Sequence, residues 1–113
     1  MLITSLKKNS EFQKVYKRGK SLANKHIVMF VIKNDKGINR LGISASKKIG
    51  KAVVRNKQRR RLKEAFRALW PEILTSYDIV VLPRTGILDA GFLEVKSSAK
   101  HLLRKHGIWV QNG

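Results

Sequence analysis

The chain has 113 residues, of which 25 are Lys or Arg and seven are Asp or Glu, so its formal net charge is +18. This length predicts one domain over residues 1–113, and an apolar content of 42% is enough for a modest core, which argues against a disordered tail. So large a positive charge requires an anionic partner, either nucleic acid or a membrane surface. The absence of cysteine and of any apolar run of about 18 residues excludes disulfides, thiolate metal sites and a membrane-spanning helix, and favours a cytoplasmic protein.

A short helix is predicted near the N-terminus. It begins at Ser10, which forms a capping box with Gln13, and it ends before Gly19. Phe12 and Tyr16 are four residues apart and therefore lie on the same side of this helix. Packing in the core is the simplest role for both rings.

Strands follow the first helix. Residues 21–24 form an extended link or a short strand, and the β-branched, apolar residues 26–33 predict a strand that is covered on both faces. Residues 34–37, Asn-Asp-Lys-Gly, predict a turn. Residues 40–46 are then the returning strand, so the two longer strands are expected to form an antiparallel hairpin.

The returning strand has one apolar face and one face that is small and polar. Its alternating side chains divide into Leu41, Ile43 and Ala45 on one side and Gly42, Ser44 and Ser46 on the other. The small, polar face is either an open floor on which a chain of nucleotides lies or a sheet face exposed to solvent. The alternation alone favours neither.

A strongly basic helix is predicted over residues 51–69, and Pro71 stops it. In the segment 47–67, ten of 21 residues are Lys or Arg and only Glu64 is acidic. With 3.6 residues per turn, one stripe of this helix is apolar and faces a core. The members of the stripe are Val54, Leu62, Ala65 and Leu69. The cations on the opposite side either bind a polyanion or are merely solvated, and the near absence of acid favours a polyanion.

The last third of the chain predicts one strand and one helix. Residues 77–83 form a short buried strand, residues 84–86 turn the chain, and Asp89 caps a helix that continues to about Lys105 and ends before Gly107. The residues expected to pack inward are Phe92, Val95, Ala99, Leu102, Leu103, Ile108, Trp109 and Val110.

These elements predict an α+β fold. Their order, α-β-β-β-α-β-α, suits a two-layer sandwich in which helices pack on a mostly antiparallel four-stranded sheet. The seven acidic residues are scattered, so no carboxylate pair has the spacing of a catalytic metal site. The three histidines and the serines Ser44 and Ser46 have no arrangement suited to acid–base or nucleophilic catalysis. The chain therefore predicts a polyanion-binding surface with no catalytic or metal-binding residue of its own.

The order of residues in the basic helix resembles the RNR signature of the bacterial ribonuclease P protein subunit. The matching residues are Arg55-Asn56, then Arg59-Arg60, then Lys63. Two longer blocks, residues 6–26 and 41–56, are similar to the family's N-terminal helix and to the strand that leads into its basic helix. Gln58 departs from the family pattern, which has an aliphatic residue there, and is expected at the edge of the packed face.

The resemblance implies a ribonucleoprotein enzyme, an endoribonuclease whose chemistry belongs to its RNA subunit. Such a protein binds the catalytic RNA, which holds the Mg²⁺ ions, and grips the 5′ leader of precursor tRNA while the leader is removed by phosphodiester hydrolysis. No cofactor bound by the protein alone, no membrane and no obligate protein partner are expected. The family also implies a left-handed crossover of the strand–helix–strand unit around the basic helix, against the usual hand.

Two sets of site residues follow from the basic pattern and the resemblance together. The catalytic RNA is expected to contact the basic helix and its start through Lys47, Lys48, Lys51, Arg55, Asn56, Lys57, Arg59, Arg60, Arg61, Lys63 and Arg67. The leader is expected to lie, with its unpaired bases against ring faces, in a cleft formed by Phe12, Tyr16, Phe30, Ser44 and Ser46.

Two other functions fit the composition. A ribosomal or other structural RNA-binding protein is also small and basic, and the RNA that copurifies with the protein distinguishes it. A stand-alone metal nuclease would cleave without an RNA subunit and would lose its activity to a chelator or to one carboxylate mutation. The ordered Arg-Asn, Arg-Arg, Lys pattern and the N-terminal block favour the ribonuclease P function.

Overall fold

The computed structural model describes residues 3–110, and within them the chain forms five strands and three α-helices. The strands are β1 (Thr4–Ser5), β2 (Lys20–Ala23), β3 (Ile27–Lys33), β4 (Arg40–Ile43) and β5 (Tyr77–Pro83). The helices are α1 (Asn9–Arg18), α2 (Ala52–Leu69) and α3 (Phe92–Lys105). Short 3₁₀ turns occupy Lys47–Ile49, Trp70–Glu72 and Thr85–Asp89. The predicted element order is confirmed, and the two-residue β1 is added in front of it.

The strands form one mixed sheet in the order β1-β4-β5-β3-β2. Pairing is antiparallel among β2, β3 and β5 and parallel between β4 and its neighbours β1 and β5. The sheet therefore has five strands where four were expected. Because β4 and β5 are parallel neighbours, the chain must cross over between them, and α2 makes that crossover. The left hand of the crossover stays a prediction.

The predicted hairpin of β3 with β4 is wrong, because β5 lies between them. The connecting segment bonds to the start of β5 instead of closing a tight turn. Asn34 donates its backbone N–H to the Ser76 carbonyl at 2.8 Å. The Asn39 side chain accepts from the Tyr77 N–H at 2.9 Å and donates to the Leu74 carbonyl at 2.8 Å. These contacts place the apolar β5 at the centre of the sheet, where it is buried along most of its length.

Helices cover both faces of the sheet. On one face, α2 and α3 bury the larger core, to which β5 contributes Ile79 and Val81. On the other face, α1 covers a smaller core formed by Leu6, Val15 and Val80. Alternation along β5 explains the division, since Val80 lies between two residues that point the opposite way. Helices packed on a sheet are confirmed, and α1 adds a layer to the expected two.

The start of α1 differs by one residue from the prediction. The helix begins at Asn9, and the carboxylate of Glu11 accepts hydrogen bonds from the backbone N–H groups of Lys7 and Lys8 at 3.0 and 2.9 Å. Gln13 was the predicted capping side chain, and that prediction is wrong. A carboxylate satisfies the free amides just before a helix better than an amide side chain does, because its charge also complements the helix dipole.

The start of α3 also differs from the prediction. Gly91, not Asp89, is the N-cap, and its N–H donates to the Glu94 carboxylate at 3.2 Å. Phe92 and Val110 are 43% and 53% exposed, so the expectation that both pack inward is wrong. Phe92 is the first residue of α3 and lies at the end of the packed stripe, which explains why helical periodicity assigned it to the core.

Candidate RNA interface

The inner face of α2 packs on the core and fixes the direction of its outer face. Leu62, Ala65 and Leu69 are buried, as predicted, and Val54 is half-buried. Phe66 is also buried, although the sequence analysis did not assign it to the stripe. A four-residue step from Leu62 would have placed it there.

The outer face of α2 presents the predicted cations to solvent. Arg59 donates to the Asn56 side chain at 2.8 Å, and Arg67 to Glu64 at 2.8 Å. The Arg67 and Glu64 side chains are 48% and 56% exposed, so this ion pair stabilises the helix little and leaves Arg67 able to contact a phosphate. Arg55 is half-buried. The other exposed cations of this surface are Lys47, Lys48, Lys51, Lys57, Arg60 and Lys63.

Arg61 points away from this surface and has a structural role. Its guanidinium donates to the Gln58 side chain at 2.8 Å, to the Ile87 carbonyl at 3.3 Å and to the Ala90 carbonyl. Gln58 is 3% exposed, so its expected position at the edge of the packed face is wrong. The buried amide is accommodated because Arg61 satisfies it. Arg61 ties α2 to the segment before α3 and is not a free RNA-binding cation.

The turn before α2 adds positive charge to the same surface. Among residues 3–110, no side chain caps the first amide groups of α2, so the helix start keeps its partial positive charge. Lys47 and Lys48 lie in the preceding 3₁₀ turn, and Gly50 joins that turn to Lys51 with a φ of 143°, a conformation that favours glycine. Cations and amides therefore meet at the helix start.

On the opposite face of the sheet, Phe12 of α1 lies directly on β4. A Cβ atom added to Gly42 would be 2.7 Å from two atoms of the Phe12 ring, and Gly42 is itself buried. Gly42 is therefore neither an open floor nor exposed to solvent, and both alternatives are wrong at this residue because the ring covers it. The floor stays open only further along the chain, at Ser44 and Ser46.

The predicted aromatic residues do come together on this face. Tyr16 packs against Phe30 in an edge-to-face arrangement, with ring centroids 5.1 Å apart and an angle of 76° between the planes. Phe12, Tyr16 and Phe30 are all half-buried, so each ring keeps part of its surface in solvent. They contribute to the smaller core and also border the space beside it.

The sheet floor beside these rings contains two residues that the sequence analysis missed. Val28 of β3 pairs with Leu82 of β5, one row beyond the pair Phe30 and Val80. Both Val28 and Leu82 are half-buried and share the α1 face. Because alternate residues of a strand share a face, Phe30 would have placed Val28 on the α1 face of the sheet. Leu82 lies beside Val28 only because β3 pairs with β5, which the sequence does not reveal.

Two adjoining cavities connect the aromatic residues to the cations. A cavity of about 400 Å³ is lined by Lys7, Asn9, Phe12, Gln13, Tyr16, Ile43, Ser44 and Arg59. A second, of about 260 Å³, is lined by Ser5, Leu6, Phe12, Leu41, Ile43, Arg59, Arg60 and Lys63. Phe12, Ile43 and Arg59 belong to both, so the groove passes from α1 across the end of β4, at Ile43, to α2. We call the two cavities together the α1–α2 groove. Of the predicted leader-binding residues, Phe30 and Ser46 line neither cavity.

A network of charges holds α1 in place beside the groove. Arg40 donates to Glu11 at 2.7 Å and to both carboxylate oxygens of Asp78 at 2.8 and 2.7 Å. The Lys8 and Lys7 amides, with Arg40, lower the pKa of Glu11 to about 2. Burial opposes ionisation of Asp78, but hydrogen bonds from Arg40 and Asn34 outweigh it and lower its pKa. Both carboxylates are therefore charged at neutral pH and bound to the guanidinium.

Within residues 3–110 there is no group of three His, Asp or Glu side chains that could hold a metal ion. Over the same residues, no helix combines the length and the apolarity needed to cross a membrane. What the described surface offers is cations, ring faces and a groove, which suit phosphates and unpaired bases.

Comparison with known proteins gives a consistent result. The family model described as Ribonuclease P matches residues 3–107. The ribonuclease P protein component of Thermoanaerobacter sp. (strain X514) is 47% identical and covers 97% of this chain and 95% of its own. That of Clostridioides difficile (strain 630) is 48% identical, with 93% of each chain covered. The RNase P protein of Staphylococcus aureus superposes with a TM-score of 0.85 at 37% identity, over 96% of this chain and 99% of that one. The RNase P protein of Thermotoga maritima superposes with a TM-score of 0.82 at 35% identity, over 89% of this chain and 96% of its own.

Proposed function

The chain belongs to the ribonuclease P protein family, and on that premise we propose that it is the protein subunit of a ribonucleoprotein that removes the 5′ leader of precursor tRNA. In this proposal the protein binds the catalytic RNA subunit and the leader, and works with them in the cytoplasm. No obligate protein partner and no membrane take part. The supporting surface has two parts, the outer face of α2 and the α1–α2 groove.

The outer face of α2 binds the catalytic RNA, chiefly through its phosphates. Exposed Lys and Arg side chains neutralise phosphates and release counterions, so the affinity depends steeply on salt. The many positive charges of α2, together with the free amides at its start, suit the dense phosphates of a folded RNA. The contacting residues are Lys47, Lys48, Lys51, Arg55, Asn56, Lys57, Arg59, Arg60, Lys63 and Arg67.

The leader occupies the α1–α2 groove, and the observation that carries this is the continuity of the groove. Phe12 and Tyr16 supply ring faces at one end, Arg59 belongs to both cavities, and Arg60 and Lys63 supply charge at the other end. A single strand that stacks its bases on α1 can therefore reach the cations of α2 with its backbone. Stacking and phosphate contact tolerate many base sequences, which suits a segment whose sequence varies from one tRNA to another.

The chemistry is proposed to belong to the RNA subunit, which holds the catalytic Mg²⁺. In the protein, Glu11 and Asp78 approach one another, but Arg40 lies between them and occupies both carboxylates. A divalent cation there would have to displace the guanidinium. The contribution of the protein is to bind and orient the leader, so that the scissile phosphate is presented to the RNA.

Reconstitution tests this function. Purified protein freed of RNA is expected not to cleave precursor tRNA, and addition of the cognate catalytic RNA with Mg²⁺ is expected to give cleavage at the 5′ end of the mature tRNA. Robust, correctly placed cleavage by the RNA-free protein, lost on adding a chelator, would instead support a metal nuclease. Failure of the protein to bind the catalytic RNA would contradict the proposal directly.

A further inference from the structure

A second groove lies on the other side of α2, toward the start of α3. It has a volume of about 390 Å³ and is lined by Lys57, Arg60, Arg61, Lys63, Glu64 and Phe92. Arg60 and Lys63 also line the α1–α2 groove, so these two cations separate the two grooves. We call this second groove the α3 groove. None of the five residues predicted for the leader cleft, Phe12, Tyr16, Phe30, Ser44 and Ser46, lines it.

The aromatic ring in the α3 groove is exposed although the fold does not require it to be. Phe92 is 43% exposed, whereas Val95 and Ala99, further along α3, are fully buried in the core. Leu88 and Leu93 beside it in the sequence are 42% and 77% exposed, so the start of α3 presents apolar surface to water. Exposed apolar surface next to cations is typical of a binding site rather than of a stabilising contact.

The walls of the α3 groove are fixed, and its rim is positively charged. Arg61 ties α2 to the carbonyls of Ile87 and Ala90, just before α3 begins, so the two walls are joined. Glu64, the carboxylate of the groove, is paired with Arg67. Among residues 3–110, Lys57, Arg60 and Lys63 form no salt bridge. An apolar ring with a cationic rim matches a nucleotide, whose base stacks on the ring while its phosphates contact the cations.

We propose that the α3 groove holds one unpaired nucleotide of the catalytic RNA, with its base stacked on Phe92 and its flanking phosphates at Lys57, Arg60 and Lys63. The inference rests on the proposed function and adds a base contact to the phosphate contacts of α2. The occupant is assigned to the catalytic RNA because the groove lies on the flank of α2 opposite the α1–α2 groove. The leader would have to cross the Arg60 and Lys63 side chains to reach it.

The test compares Phe92→Ala and Phe92→Trp with the native protein and with Leu93→Ala, a more exposed apolar neighbour that does not line the groove. Dissociation constants for the full-length catalytic RNA are measured at several salt concentrations. Phe92→Ala is expected to weaken binding about tenfold, with an unchanged salt slope, because stacking is lost and no phosphate contact is. Phe92→Trp and Leu93→Ala are expected to bind as the native protein does.

Base-specific chemical probing identifies the nucleotide. One unpaired base of the catalytic RNA is expected to be protected by the native protein and by Phe92→Trp but not by Phe92→Ala. Equal affinities for Phe92→Ala and Leu93→Ala, with no base regaining reactivity, would overturn the inference. Arg59→Ala serves as the reference for the proposed function. If Arg59→Ala weakens binding and Phe92→Ala does not, only the α3 groove is refuted, whereas native protein that does not bind the RNA refutes both.

Discussion

Gly42 determines how closely α1 can approach the sheet. In any other residue at position 42, the Cβ atom would lie only 2.7 Å from two atoms of the Phe12 ring. The missing side chain therefore sets the position of Phe12, which in turn lines both cavities of the α1–α2 groove. Glycine is therefore needed at this position because of the close approach of Phe12, and not because of a turn.

Substitution of Gly42 by Ala is expected to destabilise the protein by about 1–3 kcal/mol, because the added methyl group forces the ring and α1 away from the strand. Denaturant unfolding of the native protein, Gly42→Ala, Phe12→Ala and the double variant measures this cost. Most of the Gly42→Ala cost is expected to disappear in the Phe12→Ala background, since the clash requires the ring. Additive costs in the double variant would show that Phe12 does not limit position 42.

Neighbouring residues of α2 differ in role although their side chains are identical. Arg60 is exposed and lines both grooves, whereas Arg61 satisfies Gln58 and two carbonyls inside the protein. A rotation of about 100° around the helix, the step of one residue, separates the exposed cation from the structural one. Helix α2 therefore has a basic outer face, an apolar inner face and, at one flank, the hydrogen bonds of Arg61 that join it to the segment before α3.

Arg60→Ala and Arg61→Ala are expected to have opposite consequences. Arg60→Ala should reduce the log–log salt slope of catalytic RNA binding by about 0.7–0.9, the share of one phosphate, with little change in stability. Arg61→Ala should leave the slope nearly unchanged but cost about 1–3 kcal/mol of unfolding free energy, because buried acceptors lose their donor. Salt titrations and thermal unfolding of both variants distinguish the roles. A reduced slope for Arg61→Ala at native stability would contradict its structural assignment.

Local pattern predicted the elements well and their partners poorly. The helical periodicity of α2 and the apolar run of β5 identified both elements, because each signal lies within one segment. The pairing of β3 with β5 instead of β4 comes with contacts of Asn34 and Asn39 to residues more than 30 positions away, which no local pattern reveals. The exposure of Phe92 and the inward bonds of Arg61 likewise depend on packing between elements. Periodicity therefore assigned Phe92 to the core, and the basic pattern with the resemblance assigned Arg61 to the RNA surface.

In the whole molecule, the two faces of the sheet differ in how much of each is covered. The face covered by α2 and α3 holds most of the core, and it positions the outer cations of α2. The other face carries α1 alone, which leaves Val28, Leu82 and Ser44 half-buried beside its rings. With a net charge of +18, the chain is suited to lie among phosphates, and the open face is the one on which we propose that the single-stranded leader stacks its bases.

Binding of the leader by α1 is tested by the affinities of the holoenzyme for precursor tRNA and for the same tRNA without its leader. Phe12→Ala and Tyr16→Ala are each expected to weaken binding of precursor tRNA about tenfold and to leave binding of mature tRNA nearly unchanged, because only the leader stacks on these rings. Gln13→Ala, which alters the same cavity without removing a ring, should have a smaller effect. Equal losses on both substrates, or no loss on either, would show that these rings do not bind the leader.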